Sequence, residues 1–150
     1  MRYFEDLVVG TVARFGDYAV TREEVLDFAR RFDPQPFHLD DDAAAATHFG
    51  RLAASGWHTA AMTMAMLVAQ MSETAEASLG SPGLDELKWL RPVHPGDRLR
   101  VETELLEKRP SASRPGLGLT KSRTTTFNQD GVAVLTFVAN GMIRTRPAGG

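Results

Sequence analysis

Residues 57–71, WHTAAMTMAMLVAQM, carry no charged side chain and are apolar on nearly every helical face, with His58, Thr59, Thr63 and Gln70 as the polar exceptions. A helix of this composition has no face to give to water, so the rest of the chain must surround it. It is too short, and too polar at both ends, to cross a bilayer. The fold has to supply a cover.

The cover is legible downstream of Gly83, where the pattern changes to period two. Leu99, Val101, Thr103 and Leu105 alternate with Arg100, Glu102 and Glu104, which predicts a strand with one face in water. A valine-rich run over 132–143 is entered through Asp130-Gly131, a turn signal, and 119–127 is its predicted hairpin partner. Residues 86–93 predict another strand, closed by the turn Pro92-Val93-His94-Pro95-Gly96-Asp97. The stretch 109–118, rich in proline, serine and glycine, reads as a long connection. Upstream, short β-type runs around Gly16-Asp17 suggest a hairpin over 10–20. Thr21-Arg22-Glu23-Glu24 has capping-box spacing, and Val25, Phe28, Ala29 and Phe32 follow at helical intervals. Asp40, Asp41 and Asp42 ahead of an alanine run predict the acidic start of a short helix ending near Gly50. A long buried helix followed by an antiparallel meander is an α+β chain whose sheet curls around the helix, the hot-dog architecture.

Bulk properties narrow the function classes. With 150 residues, 43% of them hydrophobic, the chain reads as a single domain over 1–150 with a sizeable core. A formal charge of -2 leaves no electrostatic footprint for nucleic acid or an anionic membrane, and the absence of cysteine excludes disulfides and thiolate chemistry. The first residues, Met-Arg-Tyr-Phe-Glu-Asp, lack a signal-peptide pattern, so a cytoplasmic protein is expected. The four histidines have no metal-site spacing, and no metal is expected.

The chemistry-bearing segment is Asp33-Pro34-Gln35-Pro36-Phe37-His38. Each proline fixes its own φ and drives the preceding residue out of the helical region, so Asp33 and His38 sit on a stiff, extended loop directly after a helix. Two groups able to move a proton are thereby held at a set separation, as general acid and base work requires. The alternative for these residues alone is an ordinary helix-ending Asp-Pro and a surface histidine.

The order of this loop, an alanine-rich helix, Ser55-Gly56-Trp57-His58-Thr59, a long apolar helix and Leu90-Arg91-Pro92-Val93-His94-Pro95-Gly96-Asp97 resembles the MaoC-like dehydratases and (R)-specific enoyl-CoA hydratases over almost the whole chain. Their hydratase signature is matched by Asp33, Pro36, His38 and Ala44, with Gln35 where asparagine is usual and Phe32 where glycine is frequent. The resemblance implies addition of water to a 2-enoyl thioester, with Asp33 and His38 as the acid/base pair and the Gly56 amide as oxyanion donor. It implies Gln35, Phe37 and Ser55 as support for the substrate site. It further implies an acyl-CoA or acyl carrier protein substrate, no cofactor beyond the coenzyme A of that substrate, and at least a homodimer with the cleft between subunits.

Other residues carry open alternatives. Ser55 reads first as a helix cap, with a bond to the loop or to His38 as the alternative. His58 reads as a core or interface histidine, and His48 and His94 as loop residues. Met62, Met64, Met66 and Met71 read as core filling or as the lining of an acyl tunnel. Arg109, Arg114, Lys121 and Arg123 form either a basic site for coenzyme A phosphates or a solvated surface. A hot-dog thioesterase and a catalytically silent acyl-binding protein remain as alternatives. The first is disfavoured because no Asp or Glu occurs from Gly56 through Ser72, where many such enzymes place a water-directing carboxylate.

Overall fold

The computed structural model describes residues 1–149. Five strands form one antiparallel sheet in the order β1-β3-β4-β5-β2, with β1 Val12–Ala19, β2 Gly83–Trp89, β3 Arg98–Pro110, β4 Leu117–Phe127 and β5 Ala133–Arg144. The helices are α1 Arg22–Phe32, α2 Asp41–Ala45 and α3 Gly56–Glu73. The sheet curls around α3 in the hot-dog arrangement. Met62 and Met66 of α3 pack with Leu99 and Val101 of β3 and with Val134, Leu135 and Phe137 of β5, the inward faces that period two selects. Where α3 and β4 meet, Thr63 and Thr126 satisfy each other through a buried hydroxyl pair at 2.7 Å. Among the described residues, no helix is long and apolar enough to cross a membrane.

The tertiary structure departs from the sequence expectations at five places. Residues 10–20 form no hairpin: β1 runs straight through, with a bulge between Phe15 and Tyr18. Gly16 takes φ +88° there, and a Cβ on it would stand 2.5 Å from Met66 Sδ, so the turn signal marks a bulge that lets the helix approach. β2 lies earlier than predicted, because Glu86 adopts φ +54° at a second bulge and Leu90 to Val93 leave the sheet. The connection between β3 and β4 is shorter than predicted, since β3 runs through Arg109 to Pro110 and β4 begins at Leu117. α2 ends at Ala45, and turns carry the chain onward to Gly50 at φ +72°. Finally, α3 is not enclosed all round: Trp57 is 60% exposed, and Met64 and Val68 are exposed about two and three turns further along the same side.

Candidate active site

Asp33 owes its position to the end of α1. Thr21 caps the start of that helix, its hydroxyl accepting from the Glu24 N–H at 3.2 Å. Asp33 is the C-terminal cap, out of helical geometry at φ -154°, ψ 68°, as a residue before proline must be. The chain then passes through extended Gln35 into one 3-10 turn, Pro36–His38, which swings the imidazole back toward the carboxylate.

His38 is buried, with Phe37 set edge-on to its ring at 4.7 Å. Its Nδ1 lies 2.7 Å from the Ala53 carbonyl oxygen. A carbonyl only accepts, so Nδ1 carries the proton and Nε2 is the free nitrogen of the neutral ring. That Nε2 stands 3.4 Å from Asp33 Oδ2. The carboxylate is held from both sides: Gln35 Nε2 donates to Oδ1 and Ser55 Oγ to Oδ2, each at 2.7 Å. Burial alone would raise the Asp33 pKa, but the bonds from Gln35 and Ser55, together with the charge His38 can carry, hold it below the ordinary carboxylate value. Asp33 is an anion at neutral pH.

Ser55 occupies the N-cap position of α3, yet its side chain makes no cap bond. The cap predicted from sequence is replaced by the bond to Asp33. The first bonds of the helix run from the His58 and Thr59 N–H groups to the Ser55 carbonyl at 2.9 and 3.0 Å, so the N–H groups of Gly56 and Trp57 precede the helical ladder. They open α3 beside a cleft of about 490 Å³ lined by Asp33, Gln35, Phe37, His38, Gly56 and Trp57 together with His48, Phe49, Trp89 and Arg91. A helix start with unused N–H groups favours negative charge, which suits a developing oxyanion. The catalytic residues expected from sequence and the three support residues thus come together.

The need for glycine at 56 has a local cause. A Cβ there would meet the Trp89 ring at 2.6 Å, and the Trp89 indole N–H donates to the Gly56 carbonyl at 2.7 Å. Trp89, His48, Phe49 and Arg91 had no signal in the sequence that tied them to the site. They come from a strand end, a turn and a loop whose approach is a tertiary event. His94, predicted in a loop, ties that loop to the segment before α3, its Nδ1 donating to the Leu52 carbonyl at 2.8 Å. Arg109 and Lys121 line a separate groove of about 280 Å³ with Asn140, which pairs with Gly83 at the end of β2 opposite Trp89. They do not reach the cleft of this chain. No cluster of three or more His, Cys, Asp or Glu side chains suited to a metal ion occurs among the described residues.

Comparison with known proteins gives the fold and family of the chain. The family model described as "MaoC like domain" matches residues 6–126. A 3-hydroxybutyryl-CoA dehydratase of Methylorubrum extorquens is 31% identical over 134 residues, covering 89% of this chain and 82% of its own. The crystal structure of a MaoC-like dehydratase from Rhodospirillum rubrum superposes with a TM-score of 0.87 at 42% identity, covering 98% of this chain and 99% of that one. The unliganded R-hydratase of Pseudomonas aeruginosa gives a TM-score of 0.72 at 28% identity, over 96% and 86% of the two chains. A family model that spans most of the chain, and a dehydratase 31% identical over most of both chains, mean that this protein belongs to the MaoC-like domain family.

Proposed function

We propose that the protein is a hydratase/dehydratase of 2-enoyl and 3-hydroxyacyl thioesters, with acyl-CoA as the expected substrate and acyl carrier protein as the alternative carrier. The observation that carries this reading is the 3.4 Å approach of Asp33 Oδ2 to His38 Nε2 at a cleft that also receives free helix N–H groups. The similarity to a 3-hydroxybutyryl-CoA dehydratase and to an R-hydratase supports it.

In the hydration direction a water held by Asp33 Oδ2 and His38 Nε2 gives up a proton to the pair as its oxygen bonds to C3. The C2-C3 π electrons move toward the thioester, and the Gly56 amide, with Trp57 beside it, takes the charge that develops on the thioester oxygen. The pair then returns a proton to C2 on the same face, which regenerates the carboxylate and the neutral imidazole. Dehydration is the same path reversed. No step needs a cofactor beyond the coenzyme A that the substrate carries. A thioesterase would need a carboxylate to direct water at the thioester carbonyl, and α3 carries none before Glu73.

The test mixes the protein with 2-enoyl-CoA substrates of different lengths and follows both the conjugated absorbance and free thiol. Loss of absorbance without thiol is expected; thiol release instead would support the thioesterase. Asp33→Asn and His38→Gln are each expected to lower hydration by at least ~10²-fold with the fold intact, since a glutamine amide can still donate to the Ala53 carbonyl. Variants that hydrate crotonyl-CoA at the parent rate would refute the assignment.

A further inference from the structure

Resting on the hydratase reading above, we propose that Gln35 is a positioning residue: its carboxamide engages Asp33 Oδ1, so that Oδ2 alone is presented to His38 and to the water between them.

Two donors converge on one carboxylate, and both come from places where a side chain ordinarily does something else. Gln35 is the N-cap of the turn Pro36–His38, and Ser55 is the N-cap of α3; neither side chain caps its own helix. At α1 and α2 the N-cap side chains do cap, with Thr21 accepting from the Glu24 N–H and Asp40 from the Ala43 N–H. Gln35 and Ser55 instead donate to Asp33. Gln35 is pre-set for it, because the following Pro36 holds its backbone extended at φ -81°, ψ 144°, and its own N–H donates to the Asp33 carbonyl at 2.8 Å. The three-residue turn so formed brings the amide side chain alongside the carboxylate, where Nε2 reaches Oδ1 at 2.7 Å.

The chemical consequence follows from the donor's nature. A carboxamide N–H can only donate, so an Oδ1 bound to it is stabilised as an anion and drawn away from proton transfer. Asp33 Oδ2 is left to meet Ser55, His38 and water. An asparagine at this position would end about 1.5 Å short of the glutamine amide, so the departure from the usual residue changes how the carboxylate is reached. The other titratable or charged groups on the cleft are His38 and His48 from the segment before α3 and Arg91 from the loop after β2, and among these His38 is the one whose charge acts on Asp33.

The experiment compares the parent with Gln35→Leu, which removes the donor, and Gln35→Glu, which keeps the length but sets a second carboxylate beside Asp33. Gln35 is exposed, so both variants are expected to fold, and thermal melts check this. In protein labelled with carboxyl-13C aspartate, the Asp33 resonance, assigned by its absence in Asp33→Asn, is expected to titrate at higher pH in Gln35→Leu than in the parent and higher still in Gln35→Glu. The acid limb of kcat/KM should move upward with it, since the same carboxylate must be ionised for the reaction. Parent-like titration of Asp33 in both variants would overturn the proposal. A parent protein that hydrates no enoyl thioester would refute the hydratase reading, while the carboxyl titration would still decide the bond to Gln35.

Discussion

At the scale of single residues, the site is built by side chains that forgo their usual local partners. Ser55 and Gln35 leave helix starts uncapped in order to hold Asp33, and His38 gives its Nδ1 proton to a backbone carbonyl and thereby frees Nε2. The Asp33-to-His38 separation was legible because prolines leave few conformations to consider. The bond from Ser55 to this loop is legible only as the alternative to a cap, and the bond from Gln35 not at all, since nothing in the sequence announces Asp33 as their common acceptor. His58 is a different case. It stacks on Phe28 at 4.7 Å, is buried, and its Nδ1 finds no partner among the described residues. Burial pushes its pKa below 6.5 against a small opposing pull from Glu24, so the folded state holds it neutral. Unfolded chains bind a proton that the fold refuses as pH falls below 6.5, so stability is full above that value and declines beneath it, by at most about 1.4 kcal/mol per pH unit from this group. Urea midpoints between neutral and mildly acidic pH should fall less in His58→Phe than in the parent; equal slopes would refute this role.

At the scale of elements, the start of α3 is the junction on which the site depends. Its first N–H groups face the cleft, and its first carbonyl is pinned by Trp89 at the end of β2. Gly56→Ala is expected to cost about 1–3 kcal/mol, because the Trp89 ring must shift from the 2.6 Å approach, and to lower kcat as the amide turns with it. A thermal melt and steady-state rates on the same sample check both effects, and a variant with parent stability and parent kcat would show that the junction is slack. The sequence marked α1, α3 and the alternation of β3 well, because each has a strong period and clear ends. It misjudged residues 10–20 and the end of β3, where glycine and proline were read as turns although sheet pairing carried the strands through as a bulge and a longer hairpin.

At the scale of the molecule, one side of α3 remains in water. Trp57, Met64 and Val68 of the helix and Leu84 and Trp89 of edge strand β2 are exposed; Trp57 and Trp89 touch edge to face at 5.1 Å, while Met64, Val68 and Leu84 line a shared groove. An apolar strip of this kind beside an unpaired sheet edge fits a second copy of the chain, as expected from the family resemblance. The parent should sediment as a dimer at micromolar concentration, and Leu84→Glu should weaken that dimer by about tenfold or more, a cost of about 1.4 kcal/mol. A monomeric parent would refute the assignment of this face.

The sequence by itself determined that an uncharged helix must be wrapped by an antiparallel sheet and that Asp33 and His38 share a rigid loop. Periodicity and proline act within a few residues, so both are written locally. Only the tertiary structure decided that Gln35 and Ser55 grip the two oxygens of Asp33, that Trp89 dictates glycine at 56, and that one side of the central helix is left uncovered. Each of these depends on how segments distant in the chain approach one another, and a contact between them is fixed by packing of the whole sheet around α3.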